Sequence, residues 1–406
     1  MNGRCVLTIL VLAAGASRLS ADPSVFSAKV LAAWKDADAV TGYAWWQRHR
    51  LVNFSEMHLE GDSMLEVPAF QFKKFEPDSL VHLPVPDTAF GISLAGSQPS
   101  RADMKALGKM TRLQYLDLSG CKLTDALLAD LTKLSDLQVL SLRQCDVGDE
   151  GMKHICRLKQ LKALDLTGTR VTDFCLGDLI ALKSLQALHF GAGSVTDTGI
   201  TDIGKFASLR ELKLAGTRVS NDGLSNLRSM KSLLRLQLGS EVDDEGMRVI
   251  GRMKQLADLD LETTKVTDDG LKSLSGLRLK SLRTPRTART DLGLKYYLAI
   301  TPAPSELNLA DWTITDVAMK DIGKLTNLRS LNLSKAKVTD ATLREINGLV
   351  QLRSLDLSMT KVTDIGLKEL IPMRQLRVLN VAGTKVTPQG IALLQESLPD
   401  VQATAR

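Results

Sequence analysis

One pattern is written twelve times along this chain. The apolar residue that opens each Val-Thr-Asp-like triplet falls at Leu123, Val147, Val171, Val195, Val219, Val242, Val266, Ile314, Val338, Val362 and Val386, with Arg289 in the remaining place. The step is 24 residues, apart from two of 23 and one of 25. A period held for that long is the signature of a solenoid, because one unit cannot bury its apolar face alone and stacked neighbours can.

Within a unit the pattern is L-x-x-L-x-L-x-x-T-x-V-T-D-x-G-L-x-x-L-x-x-L. The L-x-L part alternates with period two, which predicts one short strand with its leucines inward and the residues between them outward. The later leucines recur every three residues and predict a short helix burying one stripe. Asp at the third place of the triplet (Asp173, Asp197, Asp268, Asp340, Asp364) is expected to cap that helix. The glycine two residues on (Gly199, Gly223, Gly270, Gly366) is expected to let the first helical turn approach the neighbouring coil. Each repeat is then one strand, one tight corner and one helix, an α/β unit.

The run L-x-x-L-x-L-x-x-[T/C]-x-[V/L/I] resembles the leucine-rich-repeat signature over residues 113–398, and residues 92–112 fit as a degenerate thirteenth unit with Ile92 and Leu94 as the strand. The resemblance implies a right-handed horseshoe solenoid with parallel strands on the concave face and short helices on the convex face. It also implies that the ninth-place side chain (Cys121, Cys145, Thr169, Thr217, Thr264, Thr287, Thr360, Thr384) bonds backbone groups of the adjacent corner. Cys121 and Cys145 fall at that place in consecutive repeats, roughly 5 Å apart by strand spacing. Two ladder thiols and a disulfide are both open at this point.

The ends differ from the repeats. Arg4 precedes an apolar run from Cys5 to Ala16 with small-residue triplets at 14–16 and 19–21, the layout of a secretory signal peptide over 1–21, too short for a stable bilayer anchor. Residues 22–91 hold Trp34, Trp45, Trp46 and the "FQFKKF" phenylalanines Phe70, Phe72 and Phe75. A helix is expected over 24–40, in a segment that is either a cap on the first coil or a small binding module. Residues 399–406 are set apart as a C-terminal tail. The formal charge of +6 comes from 52 basic and 46 acidic residues, too mixed to point to nucleic acid or a membrane as partner.

Chemistry is sparse. The five histidines form no H-E-x-x-H, and G-x-S-x-G, C-x-x-C and P-loop patterns are missing from the sequence, so neither a cofactor nor a resident metal is expected. "GAGS" at 191–194 lacks the third glycine of a dinucleotide loop and falls at a repeat corner.

What the repeats offer is a display face. One outward column runs Tyr115, Val139, Ala163, Ala187, Glu211, Arg235, Asp258, Ser281, Glu306, Ser330, Ser354 and Val378. The other runs Asp117, Ser141, Asp165, His189, Lys213, Gln237, Asp260, Arg283, Asn308, Asn332, Asp356 and Asn380. Charge gathers at Glu211, Lys213, Arg235, Asp258, Asp260, Glu262 and Arg283, which reads either as a docking patch or as solvated cross-strand ion pairs. Ca²⁺ binding by the three carboxylates is disfavoured, since alternate strand residues stand about 6.6 Å apart. The pattern is least regular over 277–312, where Arg278, Lys280, Arg286 and Arg289 with Arg283 suggest either an anion-binding edge near Tyr296, Tyr297 and Trp312 or a kink between two sub-stacks. The reading is an exported scaffold, similar to secreted bacterial proteins with 24-residue repeats, that binds a protein along a strand face on the order of 50–60 Å long. A self-associating envelope protein is the alternative, and an enzyme comes last.

Overall fold

The computed structural model describes residues 25–47, 50–55, 63–191, 195–301 and 304–404. The signal peptide expected over 1–21, His49, His58, Pro302 and residues 192–194 of "GAGS" lie outside them. Helix α1 (Ala28–Asp36) is capped by Ser27, whose Oγ accepts the Val30 N–H, and buries Val30 and Trp34. It is shorter than expected over 24–40. Asp38 takes a left-handed φ of 65°, and the chain turns there into a strand from Ala39.

Among the described residues, seventeen strands follow. β1 (Ala39–Gln47), β2 (Arg50–Ser55) and β3 (Ser63–Phe72) are antiparallel neighbours, and β4 (Phe90–Ser93) joins β3 in parallel. Then come the strands of the repeats: β5 (Leu113–Asp117), β6 (Val139–Ser141), β7 (Ala163–Thr167), β8 (Ala187–Gly191), β9 (Glu211–Lys213), β10 (Arg235–Gln237), β11 (Asp258–Asp260), β12 (Ser281–Arg283), β13 (Glu306–Asn308), β14 (Ser330–Asn332), β15 (Ser354–Asp356), β16 (Val378–Asn380) and β17 (Gln402–Thr404). The last of these corrects the expected tail at 399–406, since β17 pairs in parallel with β16 and Val401 is buried beneath the final coil. Inward leucines such as Leu164 and Leu355 are fully buried, and the described outward pairs stand in the register that the repeat alignment predicts, including the 23-residue steps from Arg235 to Asp258 and from Asp258 to Ser281.

The triplet aspartate does something other than capping. The helix cap is the residue before it: Thr196, for example, accepts the Thr198 N–H through its hydroxyl. Asp173 instead reaches into the next repeat, where its two oxygens accept the Thr196 backbone N–H at 2.8 Å and the Thr196 hydroxyl at 2.6 Å. The same bond pair joins Asp149 to Thr172, Asp244 to Thr267, Asp340 to Thr363 and Asp364 to Thr387. The glycine makes room for this strut, because a Cβ at Gly199 would collide with Asp173 Oδ1. Where the place holds Cys175 or Ala318, the helix opens instead as a 3₁₀ turn, Asp173–Cys175 and Asp316–Ala318.

The ninth place is also corrected in part. Thr169, Thr217, Thr264 and Thr360 give their hydroxyls to a carbonyl three residues back in their own coil, closing the corner locally. Cys121 and Cys145 do reach the preceding coil, donating to the Leu94 and Leu118 carbonyls at 3.1 and 3.0 Å. Both are free thiols, pushed up by burial to about 12 and about 11.

The irregular stretch divides the strand face. The sheet ends at β12, and β13 begins a second sheet of five strands over its own apolar core. Two changes account for this. The helix Asp291–Ile300 has ten residues where most repeats have four to seven, and Trp312 replaces the ninth-place Thr, standing edge-on to Tyr297 at 5.9 Å. The corner side holds across the gap: Thr313 N–H donates to the Arg289 carbonyl, and Asp291 bonds Thr315 as a normal strut. The strands part and the corners do not.

Candidate functional site

The strand face is covered at one end and open further along. Ala44 and Trp46 of β1 and Val67 and Ala69 of β3 form one buried apolar cluster with Tyr115, Val139, Ala163 and Ala187, with Phe54 of β2 packed against it. Strands β1 to β3 therefore curl back over the face of β5 to β8, and β2 reaches β6 and β7. Gly91 permits the curl, since a Cβ there would press on the Cβ atoms of Ala44, Ala69 and Tyr115 at 3.1–3.2 Å. The expected face of twelve open strands is shorter for this reason and is broken again after β12. Four strands, β9 to β12, form its open middle.

The second outward column has a structural task that the sequence reading missed. Asp117, Asp165, Asp260, Asn308, Asn332, Asp356 and Asn380 each accept the backbone N–H two residues on, an Asx turn that ends the strand. His189, Lys213, Gln237 and Arg283 hold the same place without that bond, and all four lie between β8 and β12. Three of these departures, Lys213, Gln237 and Arg283, fall on the open strands, and His189 is at their border with the covered ones.

Six of the seven expected patch residues line one hollow of about 360 Å³: Glu211, Lys213, Arg235, Asp258, Asp260 and Arg283. Its inner wall is a buried charge network. Glu211, 1% exposed, accepts the Arg235 Nε–H at 2.7 Å and the His189 Nε2–H at 2.7 Å, with Lys213 Nζ at 3.7 Å. Burial alone would raise this carboxyl, but His189, Lys213 and Arg235 outweigh it and hold it near 2. Burial holds His189 below its ordinary value, against the pull of Glu211, and lowers Lys213 as well. These inner pairs are not the solvated ion pairs of the alternative reading, whereas Arg283, with a side chain 68% exposed, does make such pairs, at 3.4 Å to Glu262 and 3.9 Å to Asp260. His189 was not among the expected site residues. Its signal was its place in the outward column beside Glu211.

Glu262 lies beyond the strand end and lines a second cleft of about 300 Å³ at the gap, with Arg283, Arg289, Asn308, Tyr297 and Trp312. Of the expected anion edge, Arg283 and Arg289 line this cleft. Arg278 and Lys280 precede β12 and Arg286 and Arg289 follow it; Arg278 donates to the Ala299 carbonyl, and Arg289 donates twice to the Thr284 carbonyl and faces Glu262 at 3.7 Å. Among the described residues no cluster of three or more His, Cys, Asp or Glu is placed to hold a metal ion.

Residues 92–239 match a family described as leucine-rich repeat region, and residues 351–370 match a second described as leucine rich repeat. The chain carries leucine-rich repeats in these two stretches. A leucine-rich-repeat protein of Leptospira interrogans shares 20% identity over 80% of this chain and 91% of its own, with a TM-score of 0.50, and shows the same fold. An internalin of Listeria monocytogenes (22% identity, 80% and 81% covered, TM-score 0.43) and the plant peptide hormone receptor RGFR1 in complex with RGF2 (17%, 88% and 59%, 0.42) are further matches. No curated protein sequence matches the chain. Leucine-rich-repeat scaffolds typically serve protein–protein interaction. Among the described residues of this one, no helix is long and apolar enough to cross a membrane.

Proposed function

We propose that this leucine-rich-repeat protein is an exported scaffold that binds another protein over β9 to β12 and the adjoining cleft. The observation that carries this reading is the replacement of the strand-ending Asp or Asn by Lys213, Gln237 and Arg283 where the face is open. Side chains at this place that make no strand-ending bond and line the hollow can exchange their present contacts for those of a partner. Export rests on the leader pattern of 1–21. Four strands at about 4.8 Å spacing give a short face, so the neighbouring cleft is needed to approach a standard interface.

A photo-crosslinking residue tests this when placed at Gln237 and, separately, at Lys272 on the helix of the following repeat, Asp268–Ser273. Capture of one protein from Gln237 and not from Lys272 is the expected result, and the reverse pattern overturns the reading. Mass measurement of the secreted chain should place its first residue near Asp22; an uncleaved chain retained in the cell removes the export part.

A further inference from the structure

Asp258 is the carboxylate in the hollow whose side chain makes no bond among the described residues. It stands between Arg235 and Ser281 in the outward column and is half-buried. Arg235 is the obvious partner, yet its Nε–H goes the other way, to Glu211 at 2.7 Å. The other two cations of the hollow are also beside different carboxylates: Lys213 lies 3.7 Å from Glu211, and Arg283 lies 3.4 Å from Glu262. Asp260 accepts the Gln237 amide at 3.1 Å and the Glu262 N–H at 3.0 Å. Among the described residues, Asp258 has neither a hydrogen bond nor an ion pair through its side chain.

From this arrangement we infer that the hollow selects a partner segment presenting a cationic side chain, an arginine or a lysine, to Asp258. The inference rests on the proposed use of this face and names the chemistry recognised there. A protein laid over the hollow removes the water that now solvates Asp258. With a guanidinium or ammonium in place, the carboxylate gains a charge-assisted bond in a drier setting; without one, it is buried uncompensated, a penalty that rejects acidic and neutral segments. The exposed Ser281 hydroxyl beside Asp258 leaves room for the incoming group.

The test uses the mature chain and fluorescein-labelled acetyl-triarginine amide and acetyl-triglutamate amide, read by fluorescence anisotropy at fixed salt. Triarginine should bind and triglutamate should not. Asp258→Asn should weaken triarginine binding by about tenfold or more, a loss of about 1.4 kcal/mol, while Asp269→Asn, which removes one charge from an exposed helix, leaves it unchanged. Ser281→Arg, which supplies a cation from the chain itself, should abolish it. An unchanged thermal midpoint in Asp258→Asn would show that the fold is intact, as expected for a side chain with no bond among the described residues. Equal effects of the two Asn variants, or equal binding of the two peptides, overturn the inference. If a Gln237 crosslinker captures a partner whose binding ignores Asp258→Asn, the face stands and its cation selectivity fails; if it captures nothing, the face itself fails.

Discussion

Strands β5 to β8 and strands β9 to β12 share a core and a register, yet their outward faces have opposite fates. The first four present Tyr115, Val139, Ala163 and Ala187, all with no exposure, under the curl of β1 to β3. The next four present Glu211, Arg235, Asp258 and Ser281 around a hollow. The difference shows that one column of a solenoid can be interior at one end and binding surface at the other. The change of use falls at Glu211, where a buried carboxylate meets Arg235 on one side and His189 on the other.

The strongest way to break this contrast is to lift the cover. Trp46→Ala should cost about 3–5 kcal/mol in urea unfolding, and hydrogen exchange should then rise in β5 to β7 and not in β14 to β16. Equal exchange in both regions would mean that the curl does not protect the face. Next, the core beneath should not know which face is covered. Leu164→Ala and Leu355→Ala, both fully buried, should each cost about 2–5 kcal/mol. A separate early transition for Leu355→Ala alone would show that the sheet break after β12 divides the molecule into two cooperative units. Gly199→Ala presses a methyl on the Asp173 strut and should cost about 1–3 kcal/mol, with much of it recovered in a double mutant with Asp173→Ala.

The boundary network gives a gentler probe. His189 is held below its ordinary 6.5, so the unfolded chain takes up a proton that the fold refuses, and stability should decline as pH falls below about 6.5. Glu211 is held near 2 against an ordinary 4.5, so its contribution is present above 4.5 and is lost as pH falls from 4.5 towards 2. His189→Gln should remove the upper limb and leave the lower one, measured as urea midpoints at about pH 7.5, about 5.5 and about 3.5. The smallest effect belongs to the open end: Arg283→Ala removes exposed pairs and should change stability by less than about 1 kcal/mol.

The solenoid is legible in the repeat alone, because leucines at period two and then three leave one strand and one helix per unit of about 24 residues and little freedom in how units stack. Every described member of the two outward columns follows from Tyr115 and Asp117 by the repeat alignment, in steps of 24 residues except for steps of 23 to Asp258 and to Ser281 and of 25 to Glu306. The irregular stretch around Arg289 and Trp312 marked the place where the sheet divides. A signal for the cover was also present, in an apolar run from Tyr115 to Ala187 on a face read as solvent-exposed, but it says only that something sits there.

Tertiary structure decided the remainder. The aspartates of the triplet looked like caps because capping is the local use of Asp near a helix start; the neighbouring coil at close range offers Asp173 two donors at once and wins. Arg235 stands between Glu211 and Asp258 in the sequence pattern and matches either. Side-chain geometry commits it to Glu211, and that choice leaves Asp258 unpaired in the hollow. Which strands are covered depends on where a three-stranded segment some seventy residues upstream comes to rest, and no periodicity within the repeats encodes that. Sequence determined the stack because nearest-neighbour packing is local and repeated; the site is a property of contacts that occur only once.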